Sequence, residues 1–265
     1  MTYLIISILI IILIIILLNN SQEKFENNEN NEFNIFPPTK IINHNKYGII
    51  KCMNNNDHVC EVILSGSVWE EELFNNYFEP YIKENTTILD CGAYIGSHTI
   101  LMKKLNRNND IFSFEMMPEH YKILQDNIKL NNFDNILTFN FALGDKISHI
   151  KLPNVNYINT SNNNFGGTSI TTNNSNVDIQ LIPLDFILPL IVKPVSFMKV
   201  DVEGNEHDLL VGAKALITKY KPIIEIEIWI HKYEDFIKSN IWNYLESLGY
   251  KIKHINADDY LLYFL

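Results

Sequence analysis

Basic residues are in short supply. Lys and Arg total 21 against 31 Asp and Glu, a formal charge of −10, and a chain that grips phosphate backbones needs the opposite balance, so nucleic acid is excluded as a partner. Cysteine is scarcer still. Cys52, Cys60 and Cys91 supply neither a disulfide framework nor the second thiol pair of a zinc cluster. Wholesale disorder is excluded as well, because 46% hydrophobic content over 265 residues buries a core of one large domain or two small ones. Asn is abundant instead, in runs such as 54–56 and 162–164, so the N-x-S/T triplets at Asn19, Asn85, Asn159 and Asn173 follow from composition.

One apolar run stands out. From Tyr3 to Leu18 only Ser7 is polar; as a helix this stretch rises about 24 Å, slightly short of a hydrocarbon core of roughly 30 Å. No Lys or Arg precedes the run, and no small-x-small cleavage site follows it, only Asn19, Asn20 and Ser21. An uncleaved membrane anchor over residues 1–18 is therefore expected rather than a secretory signal. Residues 19–40 are polar and acidic and end near Pro37 and Pro38, which is tether composition. Lys24 and Lys40 are the only nearby bases, too few to orient the anchor.

Beyond residue 40 short β-branched runs alternate with helical stretches. Tyr47–Lys51 and Val59–Leu64 read as a hairpin, followed by a helix over 67–81, and residues 41–82 form an extension. The domain proper, 83–265, carries the strand patterns TILDC (87–91), DIFSFE (110–115), NILTFNFAL (135–143), VSFMKVDV (195–202) and PIIEIEIWI (222–230). Helices are expected at 97–106, 118–131, 205–219 and 233–248. This alternation predicts an α/β fold with a mostly parallel sheet covered on both faces, closed by an antiparallel strand from a terminal hairpin. The stretch 153–176 lacks periodicity and reads as a lid-like excursion.

In such a sheet the ligand lies beyond the carboxyl ends of the strands. The first main strand ends in Asp90 and runs through Cys91, Gly92, Ala93, Tyr94, Ile95 and Gly96 into a helix. The next ends in Glu115, where a carboxylate accepts hydrogen bonds from ribose hydroxyls. A dinucleotide needs G-x-G-x-x-G to cradle pyrophosphate. This loop has only Gly92 and Gly96, and the acid at Asp90 repels pyrophosphate but suits the ammonium of S-adenosylmethionine. An ordinary strand-to-helix turn and an NAD-dependent oxidoreductase are the competing readings.

Several blocks occur in the order of one family. ILDCGAYIGSHT (88–99), FSFEMMPEHYKILQDNIKLNN (112–132), FALGD (141–145), GGTSI (166–170), LDFI (184–187), FMKVDVEGNEHDLLVGAKALI (197–217), KPIIEIEIW (221–229) and LESLGY (245–250) resemble the FkbM family of S-adenosylmethionine-dependent methyltransferases. The resemblance implies a Rossmann-like seven-stranded methyltransferase sheet. It places Asp90, Gly92 and Gly96 around the methionine part of the cofactor, Glu115 on the ribose, and Ala142 and Asp145 near the adenine, with Ala93 and Tyr94 of the same loop also binding the cofactor. It also implies O-methylation of a sugar, glycan or other small hydroxyl acceptor. Two residues depart from the family pattern: Tyr94 stands where Asn is common, and Met116 where Pro is common.

Methyl transfer to an alcohol requires alignment and removal of one proton. Lys199, Asp201 and Glu203 alternate onto one face at a strand end, with Asp201 the preferred base, Glu203 second and His98 a further candidate. The same carboxylates suit a divalent cation, although no dedicated metal ligands are assigned. A cytosol-facing domain is expected, because S-adenosylmethionine is made in the cytosol. The rival from another class is a catalytically inactive, membrane-tethered binding module. Oligomeric state is left open.

Overall fold

The computed structural model describes residues 36–152, 155, 157, 164–167 and 178–264. The expected anchor, the tether as far as residue 35 and most of the 153–176 excursion lie outside the described residues. Among the described residues no helix is long and apolar enough to cross a membrane.

The chain begins with an antiparallel pair, β1 (Thr39–His44) and β2 (Gly48–Met53). This is not the predicted hairpin, because Val59–Leu64 lies in a helix, His58–Leu64. The Asp57 side chain accepts the Cys60 N–H at 2.8 Å and caps that helix, and Val59, Cys60 and Ile63 are its buried residues. The predicted helix over 67–81 is a short α-turn, Glu71–Leu73, running into a π-helical turn, Phe74–Phe78, with Leu73, Phe74 and Phe78 buried.

The main sheet follows with β3 (Thr87–Cys91), β4 (Asp110–Phe114) and β5 (Ile136–Phe139). A smaller three-stranded sheet is built from β6 (Ala142–Leu143), β7 (Ser148–Lys151) and β8 (Asp178–Ile182). The main sheet then resumes with β9 (Val195–Val200), β10 (Ile223–Glu227), β11 (Lys251–Asn256) and β12 (Asp259–Tyr263). Its spatial order is β11-β12-β10-β9-β3-β4-β5. Only β12 runs against the rest, and it sits between β10 and β11 rather than at the edge. The predicted single strand 135–143 breaks at Asn140, whose side-chain amide donates to the carbonyls of Glu115 (2.9 Å) and Met116 (3.1 Å) and turns the chain out of the sheet.

Alternate residues face opposite sides of this sheet, as the pleat requires. Leu89, Phe112, Phe114, Met198, Val200 and Ile224 pack with the helices Glu206–Val211, Lys214–Tyr220 and Asn240–Ser247 on one face. Ile88, Ile111 and Phe197 pack on the other with Ser97–Leu105, Pro118–Leu130 and the N-terminal extension. Asn127 straps that extension down: it accepts from Lys51 N–H at 2.6 Å and donates to the carbonyls of Lys51 and Ile95. The predicted helix 205–219 is two pieces. The first piece ends at Gly212, where a Cβ would sit 2.0 Å from the Gly144 carbonyl oxygen, and Asp185 accepts the N–H groups of Ala215 and Leu216 to start the second piece.

Because β4 and β5 lie on one side of β3 while β9 and β10 lie on the other, strand order reverses between β3 and β9. Ligands of open α/β sheets bind at such a point.

Candidate active site

A cleft enclosing about 1050 Å³ of empty space, part of it open to solvent, runs along the strand ends from β10 to β5. Over β4 and β5 its lining is apolar, with Phe114, Met116, Met117, Phe141, Ala142 and Leu143. Over β9 and β10 it is acidic, with Lys199, Asp201, Glu203 and Glu227. Val59, Trp69 and Glu70 of the N-terminal extension form a further wall beside Ser97 and His98.

The turn after β3 is held by backbone bonds in both directions. Gly92 and Ala93 donate to the Phe114 carbonyl, and Asp201 N–H donates to Cys91 O at 3.0 Å. Gly92 has φ +85°, and a Cβ there would lie 1.7 Å from the Asp201 carbonyl oxygen; the two strand ends meet because this residue has no side chain. Tyr94, at φ 52°, occupies the left-handed region that Asn tolerates better than a bulky residue does. Its N–H donates to Glu115 Oε2 at 2.8 Å, while Glu115 Oε1 accepts from Met117 N–H at 2.8 Å. The Glu115 carboxylate is thereby fixed at the cleft, and each oxygen retains a lone pair for a ligand hydroxyl.

Beneath the acidic half lies a row of buried charges. Register places Asp90 beside Lys199 and Lys199 beside Glu225 across three adjacent strands, all under 5% exposed. Burial would lower the Lys199 pKa, but Asp201, Glu225, Asp90 and Glu70 outweigh it and hold the ammonium well above its ordinary value. Lys199 Nζ donates to Asp201 Oδ2 at 2.7 Å. Asp201, Glu203 and Glu227 bring carboxylate oxygens within 4.8 Å of one another, an all-oxygen set that a hard divalent cation would accept. Burial, then repulsion from Asp201 and Glu206, pushes Glu203 up to about 7. Burial, with Asp201 and Glu203, pushes Glu227 up to about 9.

Residues 90–252, more than half of the chain, match the methyltransferase FkbM domain. The chain belongs to the FkbM methyltransferase family. Among curated relatives it is 25% identical to Methyltransferase 1 of Beauveria bassiana (strain ARSEF 2860) over 146 residues, covering 49% of this chain and 59% of the relative. The chain thus spans less than two thirds of that protein's length. Among solved structures it is similar to the methyltransferase FkbM from Methylobacillus flagellatus KT, with 20% identity and a TM-score of 0.49, covering 68% of this chain and 44% of that one. It is also similar to M. jannaschii TYW2 in complex with AdoMet, with 14% identity and a TM-score of 0.42, covering 85% and 84% of the two chains.

Within this FkbM cleft the residues expected from sequence separate into three groups. Gly92, Ala93, Tyr94, Glu115, Ala142, Lys199, Asp201, Glu203 and His98 line it. Asp90 and Gly96 support it from behind. Asp90 is fully buried and accepts from Thr99 Oγ1 at 2.5 Å, so its carboxylate lies under the turn rather than on the cleft wall. Gly96 (φ +85°) starts the helix Ser97–Leu105 where a Cβ would meet Leu124 at 2.6 Å. Asp145 is exposed, 3.6 Å from Lys146, and does not line the cleft; the short β6 ends before it and leaves it facing solvent. His98, the further base candidate, is 5% exposed and packed on Phe74 and Phe78, and its burial keeps it far below the ordinary histidine pKa.

Two FkbM cleft carboxylates escaped the sequence reading. Glu227 follows Glu225 on the same face of PIIEIEIW; acids alternating within an otherwise apolar central strand were the available signal. Glu70 left no comparable trace, because it comes from the extension.

Proposed function

We propose that the chain uses S-adenosylmethionine to methylate a hydroxyl of a sugar, glycan or other small acceptor. The observation that supports this most is the Gly92 contact: only a turn without a side chain brings the end of β3 against the Asp201 backbone, beside the fixed Glu115 carboxylate. The apolar residues over β4 and β5 suit an adenine, Glu115 the ribose, and the Gly92–Tyr94 turn the methionine portion. That leaves β9 and β10 for the acceptor. The cofactor supplies an electrophilic methyl group.

Of the acids there, Glu203 is best matched to take the acceptor proton. Its pKa of about 7 lies near working pH, where a general base is most effective, whereas Asp201 is committed to Lys199. Asp201 then orients Lys199 and the strand end. Full-length protein in detergent should bind S-adenosylmethionine in calorimetry and transfer a tritiated methyl group to a cell glycan extract. Glu203→Gln should lower the turnover by about 100-fold and leave cofactor affinity unchanged. Binding of NAD without S-adenosylmethionine would install the oxidoreductase reading. An unaltered rate in Glu203→Gln with loss in Asp201→Asn would return the base to Asp201.

We also propose that the apolar run from Tyr3 to Leu18 anchors the enzyme with its catalytic domain in the cytosol. Protease added to intact cells should leave the domain whole, and cleavage without permeabilisation would reverse the topology.

A further inference from the structure

Glu70 combines three properties that nothing described so far uses. It adopts a left-handed conformation, φ 51° and ψ 39°, which a residue with a long side chain holds only against a cost of about 1–3 kcal/mol. Its side chain is 29% exposed and lines the cleft. Its carboxylate has no hydrogen-bonded cation, since its nearest ionic neighbour is His98 Nε2 at 3.5 Å, a ring held neutral by burial whose Nε2 makes no hydrogen bond. Burial pushes Glu70 up to about 7, opposed by Lys199 and by a hydrogen bond with the Trp69 side chain and reinforced by Asp201 and Asp259. The cleft wall therefore carries an acid that shares Lys199 with three other carboxylates and has no ion pair of its own beyond the neutral His98 ring.

Its location points to the further cation it can receive. With adenosine over β4 and β5, the amino-acid end of the cofactor lies over β3 and the first turn of Ser97–Leu105, where His98 touches Glu70. Among the described residues three other carboxylates have a buried oxygen without a hydrogen bond, Asp90 Oδ1, Glu225 Oε2 and Glu227 Oε2, but Asp90 and Glu225 do not line the cleft and Glu227 stands at the end of β10. Asp90 is under the turn, Glu115 caps Tyr94 and Met117, Asp201 holds Lys199, and Glu203 and Glu227 stand together over β9 and β10. Resting on the cofactor reading above, we propose that Glu70, beside His98, receives the α-ammonium group of S-adenosylmethionine, so that a residue twenty positions upstream of the family-matched region completes the cofactor site.

A double cycle on the full chain tests this without an acceptor. S-adenosylhomocysteine and its deaminated analogue are titrated calorimetrically into wild type, Glu70→Gln and Glu70→Asp, with 5′-methylthioadenosine reporting an intact nucleoside half. In wild type, loss of the amino group should weaken binding by about 10- to 100-fold, the range of a hydrogen bond to a charged group. In Glu70→Gln that penalty should vanish while methylthioadenosine binds as before, and Glu70→Asp should restore part of it. The same penalty in Glu70→Gln as in wild type overturns the assignment. Failure of wild type to bind any of the three ligands overturns the cofactor reading itself.

Discussion

Gly92→Ala should abolish S-adenosylmethionine binding and destabilise the protein by about 3 kcal/mol or more, the range that backbone strain and overpacking reach together. Two effects combine. The positive φ costs an L-residue about 1–2 kcal/mol, and the added methyl would sit 1.7 Å from the Asp201 carbonyl oxygen. Relief requires β3 and β9 to part at their ends, which pulls on the bond from Asp201 N–H to Cys91 O. That same displacement carries Ala93 and Tyr94 away from Phe114 and Glu115. Gly66→Ala is the internal control, because Gly66 also has positive φ (+94°) but nothing within 4 Å, and it should lose only about 1 kcal/mol. Urea denaturation and calorimetry on both variants separate the effects. Equal stability losses in the two, with cofactor binding kept in Gly92→Ala, would show that the strand contact is dispensable.

Lys199→Met should be the most damaging charge change. It strands Asp90, Glu225 and Asp201 without their shared cation, and breaking a buried ion pair from one side costs about 3–5 kcal/mol. The loss depends on pH in a definite sense. Carboxyls raised in the folded protein contribute stability that is complete below their unfolded value of 4.5 and is lost as pH climbs through the folded value. For Glu203, Glu70 and Glu227 that window runs from 4.5 to about 7, about 7 and about 9. Wild type should therefore melt progressively lower from pH 5 to pH 9, and Lys199→Met more steeply, because the orphaned Asp90 and Glu225 carboxyls, already raised by burial, join the same titration. Thermal melts across that range check both slopes. A Lys199→Met protein that melts with wild type at pH 8 would mean the row is compensated in some other way.

The part of the site that the sequence displayed is the part built by regular strands. TILDC, DIFSFE and VSFMKVDV place Asp90, Glu115 and Asp201 at strand ends by simple alternation, and β3, β4 and β9 carry them there. What alternation cannot supply is depth. Asp90 and Asp201 look equivalent in the chain, yet the turn at Gly92 folds over the first and leaves the second on the cleft. Boundaries failed where one side chain redirected the backbone, as Asp57 did by capping a helix in place of an expected strand and Asn140 by ending β5. Glu70 was invisible for another reason. Its backbone strain and its approach to His98 are tertiary facts with no periodic signature.

The N-terminal extension and β12 set limits on how this chain can be divided. The family-matched stretch, 90–252, opens inside β3 and closes inside β11. A fragment cut at those limits loses β12, which joins β11 to the sheet, and uncovers the face around Ile111 and Phe197. Homology borders and folding borders therefore do not coincide. A chimera intended to exchange acceptor choice should carry residues 39–86 and the C-terminal hairpin as intact pieces, leaving the junctions in exposed loops.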